Sequence, residues 1–172
     1  GMATKNSRIA AGGISRHTEH PDMVAASRRG AQFVLISPLQ TDLPDEVNNE
    51  WLPIRPGTDT ALMLAIAHTL VNDGSHDRGF LATHCTGWSQ FEGYLMGRSD
   101  GQPKSAAWAA QIVGISASEI EALARRLPGK RVLVVVSHSL QRAEHGEQPV
   151  WMGAVLASML GQFGLPGGGD NY

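Results

Sequence analysis

The segment from Leu52 to His68, LPIRPGTDTALMLAIAH, constrains the fold more than any other stretch of the chain. Pro56 fixes φ and Gly57 tolerates φ > 0, so the pair reads as a tight turn. Thr58 is a suitable N-cap, and Asp59 falls in the first helical turn, where a carboxylate is favoured. The residues after Thr60 are apolar almost all round. A helix of that kind is covered on more than one face, so other elements must surround it. Two readings of Asp59 stand side by side at this point: a helix cap, or a carboxylate offered to a ligand at the helix start.

Two short apolar runs supply strands. Gln32 to Ser37 and Arg131 to Ser137 are continuous and rich in β-branched residues, as buried parallel strands are. A predicted helix over 21–29, stopped by Gly30, leads into the first run, which is half of a βαβ unit. Further helices are predicted over 58–72, 77–83, 89–96 (with Phe91, Tyr94 and Leu95 inward), 105–113, 116–127 and 149–162. Ser116 and Glu119 have capping-box spacing ahead of an apolar stripe at Ile120, Leu123, Ala124 and Leu127. The segment 43–51 reads as an acidic, polar connection, and 166–169 as a flexible or tightly turned exit. The expected fold class is α/β, a doubly wound, mostly parallel sheet with helices on both faces, in a single domain over 1–172. Two strands make that sheet thin. Either further strands are weak in sequence, or the domain is cut from a larger sheet.

Net charge is −2 with a pI near 6.4. No basic face is evident, which argues against a nucleic acid partner. No apolar run is long enough for a membrane span. Cys85 is the single cysteine, so an internal disulfide and a cysteine metal cluster are both excluded. The histidines lack the spacing of a metal-binding helix, and His68 reads as a core histidine. No catalytic residue and no metal ligand are assigned.

Polar residues gather at three element ends: Ser37 to Asp42, Gly57 to Asp59, and His138 to Arg142. Ligands of open α/β sheets sit at the carboxyl ends of strands. An aspartate beside backbone N–H groups suits a partner with adjacent N–H donors, such as the guanine Watson–Crick edge. Arg142 suits a phosphate or a ring oxygen.

Ordered motifs along nearly the whole chain resemble the dimethyl sulfoxide reductase family of molybdopterin oxidoreductases, its sulfoxide and N-oxide reductases above all. The motifs are Arg55 to Ala65 with Ala67 to Leu70, Ala82 to Leu95, Gly97 to Lys104 with Ala107 to Ala109, Leu140 to Arg142, His145 to Pro149, Leu156 to Gln162, and Gly164 to Gly169. Enzymes of this family are several times longer, and the likeness is to one internal α/β domain. The resemblance implies a bis-molybdopterin guanine dinucleotide cofactor with molybdenum in a parent enzyme that reduces S-oxides or N-oxides by oxygen-atom transfer. It implies that Ser37, Pro38, Gln40 and Asp42 lie along the nucleotide ribose and phosphate. Gly57 and Asp59 are implied to meet the guanine, and Gln141 and Arg142 to approach the pterin.

The chain departs from the family pattern in three places. The family's metal ligand, a serine in these reductases, lies upstream of any residue here. Its strand ending in Trp-Gly-x-Asn-Pro is absent. His138 stands where a tryptophan is usual. The expected partners are therefore the remaining domains of the parent, with self-association of the isolated chain through uncovered apolar faces. The isolated chain is expected to be inactive and to lack the cofactor. The compartment stays open between bacterial cytoplasm and periplasm. The alternative is a stand-alone nucleotide-binding or interaction module without catalysis.

Overall fold

Helix α2 (Asp59–Asn72) forms the centre of the computed structural model, which describes residues 18–137 and 139–171. Leu62 to Ala67, Thr69 and Leu70 are buried along it. Helices α5 (Ala106–Val113), α6 (Ala117–Arg126) and α7 (Glu147–Met159) pack around it, with α4 (Trp88–Leu95) in lighter contact. The all-round apolar pattern thus has its cause: three helices share one neighbour. Thr69, the one polar residue buried on α2, donates its hydroxyl to Ala65 O at 2.9 Å. That bond removes the cost of burying it.

Local sequence sets the surrounding helices. The Asp77 carboxylate accepts from the Phe80 N–H at 2.8 Å and starts α3 (Arg78–His84). Ser105 caps α5, and Ser116 with Glu119 closes the full capping box of α6. Ile120, Leu123 and Ala124 face the core as their spacing requires. Tyr94 is an exception to the expected inward set, being 40% exposed on α4. Among the described residues no helix is long and apolar enough to cross a membrane.

The strands form two parallel pairs, which makes the domain α/β as expected. Helix α1 (Glu19–Arg28) leads into β1 (Phe33–Ile36), which pairs with β2 (Asn49–Leu52) in the register Phe33 with Asn49 and Ile36 with Leu52. The second pair is β3 (Leu133–Val135) with β4 (Gly169–Asn171). The two strands legible in the sequence are therefore not ladder neighbours; each pairs with one that the sequence hides. Strand β2 starts inside the segment read as a polar connection, over 49–51, and runs one residue past it to Leu52, its one fully buried residue. Strand β4 is Gly-Asp-Asn, without β propensity, and begins at Gly169, the last residue of the segment read as an exit. The run from 131 to 137 is also less covered than a continuous apolar stretch implies, with Leu133 at 50% and Val135 at 66% exposure.

Candidate functional site

Because β1 and β2 run parallel, their carboxyl ends point the same way, and the Ser37 N–H donates to Leu52 O at 3.4 Å. Beyond β1 the chain passes through Pro38 and a short 3-10 turn, Gln40–Asp42, that folds back beneath it. Ser37 is fully buried, and its hydroxyl donates to Asp42 Oδ2. The same hydroxyl oxygen accepts the Leu39 N–H at 3.2 Å. The Trp51 indole N–H, arriving from β2, donates to Ser37 O at 2.8 Å. The loop is thus fixed from three directions, while Pro38 and Gln40 face solvent. Asp42 is 2% exposed, and its second oxygen, Oδ1, has no hydrogen-bond donor among the described residues. A buried carboxylate oxygen without a donor is costly, and this one is shielded from solvent.

Downstream of β2 the chain reaches the Pro56-Gly57 turn, with Gly57 at φ 76° and open space where a side chain would stand. Arg55 anchors the turn. Its N–H donates to Val113 O at 2.9 Å, and its guanidinium donates to Gln111 O at 2.8 Å and Ile112 O at 3.2 Å at the end of α5. Thr58 occupies the N-cap position of α2, but its hydroxyl donates to Arg55 O at 2.7 Å and does not cap the helix. That leaves Asp59, half-buried at the first residue of α2. Burial pushes its carboxyl above the ordinary aspartate value, with its own backbone N–H pulling the other way.

Gln141 and Arg142 lie beyond β3. Turn bonds from Leu140 N–H to Ser137 O and from Arg142 N–H to Ser139 O shape this loop, and both side chains are exposed. His138, the departure on the expected pterin side, lies outside the described residues. The structure therefore joins Ser37 to Asp42 directly and sets Gly57 and Asp59 beyond the neighbouring strand end. Gln141 and Arg142 stand on the other strand pair. Among the described residues no hydrogen bond or ion pair ties them to the first two groups. Two cavities lie elsewhere, one of about 480 Å³ beside His76 and Lys130 and one of about 600 Å³ beside Phe91 and Trp151. Neither touches an expected site residue. Trp51 is the site residue that motif reading passed over. An aromatic at the end of a polar segment was its only signal.

Residues 16–172 match the family model of the molybdopterin oxidoreductases. The chain belongs to that family. It is 47% identical over 171 residues to biotin sulfoxide reductase of Cereibacter sphaeroides, covering 99% of this chain and 23% of that protein. It is 48% identical to trimethylamine-N-oxide reductase of Haemophilus influenzae, over 81% of this chain and 17% of that protein. Among solved structures, acetylene hydratase from Pelobacter acetylenicus superposes with a TM-score of 0.70 at 25% identity, over 84% of this chain and 19% of that one. The chain thus spans less than a quarter of the length of these relatives. The family implies a molybdopterin cofactor with molybdenum. The residues present suit the outer reach of such a group: a loop fixed by Ser37 and Asp42, a half-buried carboxylate at Asp59, and an uncovered glycine turn between them in sequence.

Proposed function

We propose that this domain belongs to a longer reductase of S-oxides or N-oxides, and that it holds the guanine nucleotide end of one arm of a bis-molybdopterin guanine dinucleotide cofactor. When bound, the molybdenum and its pterin ligands supply the oxygen-atom and electron transfer. This chain's residues bind and orient. The Asp59 carboxylate accepts two parallel N–H bonds from the guanine edge, and Gly57 lets the turn approach the base without a side chain in the way. Ser37 and Asp42 hold the loop that carries Pro38 and Gln40 along the ribose and phosphates. Gln141 and Arg142 reach toward the pterin, where the guanidinium faces a phosphate or ring oxygen. The remaining domains of the parent supply the metal ligand and the substrate channel, so the isolated chain is catalytically silent.

The observation that carries this reading is the Asp59 carboxylate, half-buried at the start of α2 beside the open Gly57 turn, where Thr58 does not cap the helix. The test uses the complete reductase and compares Asp59→Asn with Asp59→Ala for cofactor retention and thermal stability. Asn keeps the size but places a donor where an acceptor is needed. Loss of the charged contact should cost about 1.5–3 kcal/mol of binding, with the apo fold intact in both variants. Full cofactor retention in both would reduce Asp59 to a helix-start residue.

A further inference from the structure

The cavity of about 480 Å³ lies at the entry to β3, away from the loop that follows that strand. Three chain segments wall it. The turn between α2 and α3 brings His76 and Asp77, the turn between α6 and β3 brings Lys130 and Arg131, and the chain after α7 brings Leu160 and Leu165. A buried amide ties two of these walls together. Gln162 is 5% exposed; its side-chain N–H groups donate to Lys130 O at 3.1 Å and Leu160 O at 2.9 Å, and its side-chain oxygen accepts the Val132 N–H at 2.9 Å. The Asp77 N–H donates to Met159 O at 2.7 Å and ties in the remaining wall. A buried polar network with its bonds made holds its surroundings in one arrangement.

The polar groups on these walls are only partly used. His76 is 8% exposed, and its Nδ1 lies 3.3 Å from Leu70 O. A carbonyl oxygen only accepts, so Nδ1 carries the hydrogen, and Nε2 of the neutral ring is a bare acceptor. Nε2 has no hydrogen bond among the described residues. Nor is it sealed from solvent, as Asp42 Oδ1, Asn49 Oδ1 and Asp170 Oδ1 are. It therefore opens onto the cavity that His76 borders. Asp77 Oδ1 accepts the Phe80 N–H, whereas Oδ2 has no hydrogen bond among the described residues and lies over Gly161, where a Cβ would collide with it. On the second wall Arg131 donates from Nη1 to Pro166 O, and Lys130 Nζ reaches only Gln32 Oε1, at 3.5 Å. Asp77, Lys130 and Arg131 border one cavity, yet among the described residues none of them is in an ion pair.

These groups sort by sign. The wall of His76 and Asp77 offers two acceptors, one of them charged. The wall of Lys130 and Arg131 offers cationic donors. The third wall is aliphatic, with Leu160 buried and Leu165 exposed. A plain oxyanion would meet the like charge of Asp77, and a plain amine would meet two cations. A ligand that carries both charges a few atoms apart leaves neither wall unmatched. We propose that this cavity binds a small zwitterion, an α-amino acid with an apolar side chain. Its ammonium donates to His76 Nε2 and Asp77 Oδ2, its carboxylate accepts from Lys130 and Arg131, and its side chain lies along Leu160 and Leu165. The cavity volume is within the range of small-ligand sites. Because the site stands at the entry to β3, and Gln141 and Arg142 follow its exit, the proposal does not rest on the guanine reading.

The test titrates L-leucine into the 172-residue chain and follows backbone amide and histidine ring shifts by NMR. Two analogues divide the charges: 4-methylpentanoate lacks the ammonium, and L-leucinamide lacks the carboxylate. Leucine should give saturable shifts at Gly129, Lys130, Arg131 and Gly161 and at the His76 ring, with a dissociation constant of about 1 mM or below. Each analogue should bind about tenfold more weakly or worse, the cost of one charged contact. Variants then assign the walls. Arg131→Gln should weaken leucine by a similar factor and leave leucinamide unchanged. Asp77→Asn, which keeps an oxygen to cap α3, should weaken leucine and leave 4-methylpentanoate no weaker. Both positions are exposed, so the variants should keep the wild-type thermal midpoint. No saturable shift with leucine at about 10 mM would overturn the proposal. So would equal binding of 4-methylpentanoate, which would make the cavity a plain anion site, or of leucinamide, which would make it an amine site.

Discussion

The loop after β1 and the loop after β3 both carry polar residues at a strand's carboxyl end, yet they are built differently. In the first, Ser37 is fully buried, bonded to Asp42, and gripped by Trp51 and the Leu39 amide. In the second, the turn is closed by backbone and serine hydroxyl bonds, and Gln141 and Arg142 point into solvent. The difference lies in what stands behind each loop. Strand β2 continues directly into the turn that starts α2, the best-buried element of the domain. Strand β3 ends beside an uncovered edge. A preorganised loop binds at little ordering cost, whereas an open one must be ordered by its ligand or by neighbouring domains.

The sharpest way to break this contrast is Ser37→Ala. It strips the buried Asp42 of the one side-chain donor it has among the described residues, and should cost about 1–3 kcal/mol of folding free energy by urea denaturation. A loss as small as that of a surface change would mean that the first loop is no more fixed than the second. Arg142→Ala is the counterpart. As an exposed position it should alter stability by no more than about 0.5 kcal/mol, while lowering cofactor retention in the complete reductase. Unchanged retention would remove Arg142 from the site.

Much of this was legible in the residues, and the failures have physical causes. Helix α2 announced itself because eight of its residues are buried, seven of them apolar and the eighth, Thr69, bonded back to its own helix. The capping box of α6 and the Asp77 cap are local, so local sequence contains them. Strand β4 and the first half of β2 are held by ladder bonds to a neighbour, with Leu52 alone of β2 in the core, so Asn49, Glu50 and Asp170 gave no strand signal. Thr58 has an ideal cap residue type, yet a competing acceptor at Arg55 O takes its hydroxyl. The Ser37 to Asp42 bond spans five residues, and no spacing rule marks it. For the site, the sequence named the loops, but only the structure separates a buried pair from exposed side chains.

A smaller effect concerns pH. The Asp59 carboxyl of the apo protein sits above its ordinary value of 3.8 because burial disfavours the charge. The unfolded chain then releases this proton at lower pH than the folded one. The contribution of Asp59 to stability is therefore full below the unfolded value and lost as pH rises through the raised folded value. The thermal midpoint of the apo protein should show that decline, and Asp59→Asn should lack it. A guanine edge donating to the carboxylate would pull its pKa back down, so the decline should shrink in the loaded protein. Identical profiles for wild type and Asp59→Asn would contradict the burial of this group.

The central claim is that this domain grips a guanine nucleotide belonging to a molybdenum cofactor. The most direct measurement is the nucleotide released from the purified complete reductase when the cofactor pyrophosphate is hydrolysed, quantified against molybdenum. The account predicts guanosine monophosphate at two per molybdenum, with the amount retained per polypeptide falling in Asp59→Asn. Release of a different nucleotide, or of none from a molybdenum-loaded protein, would contradict it.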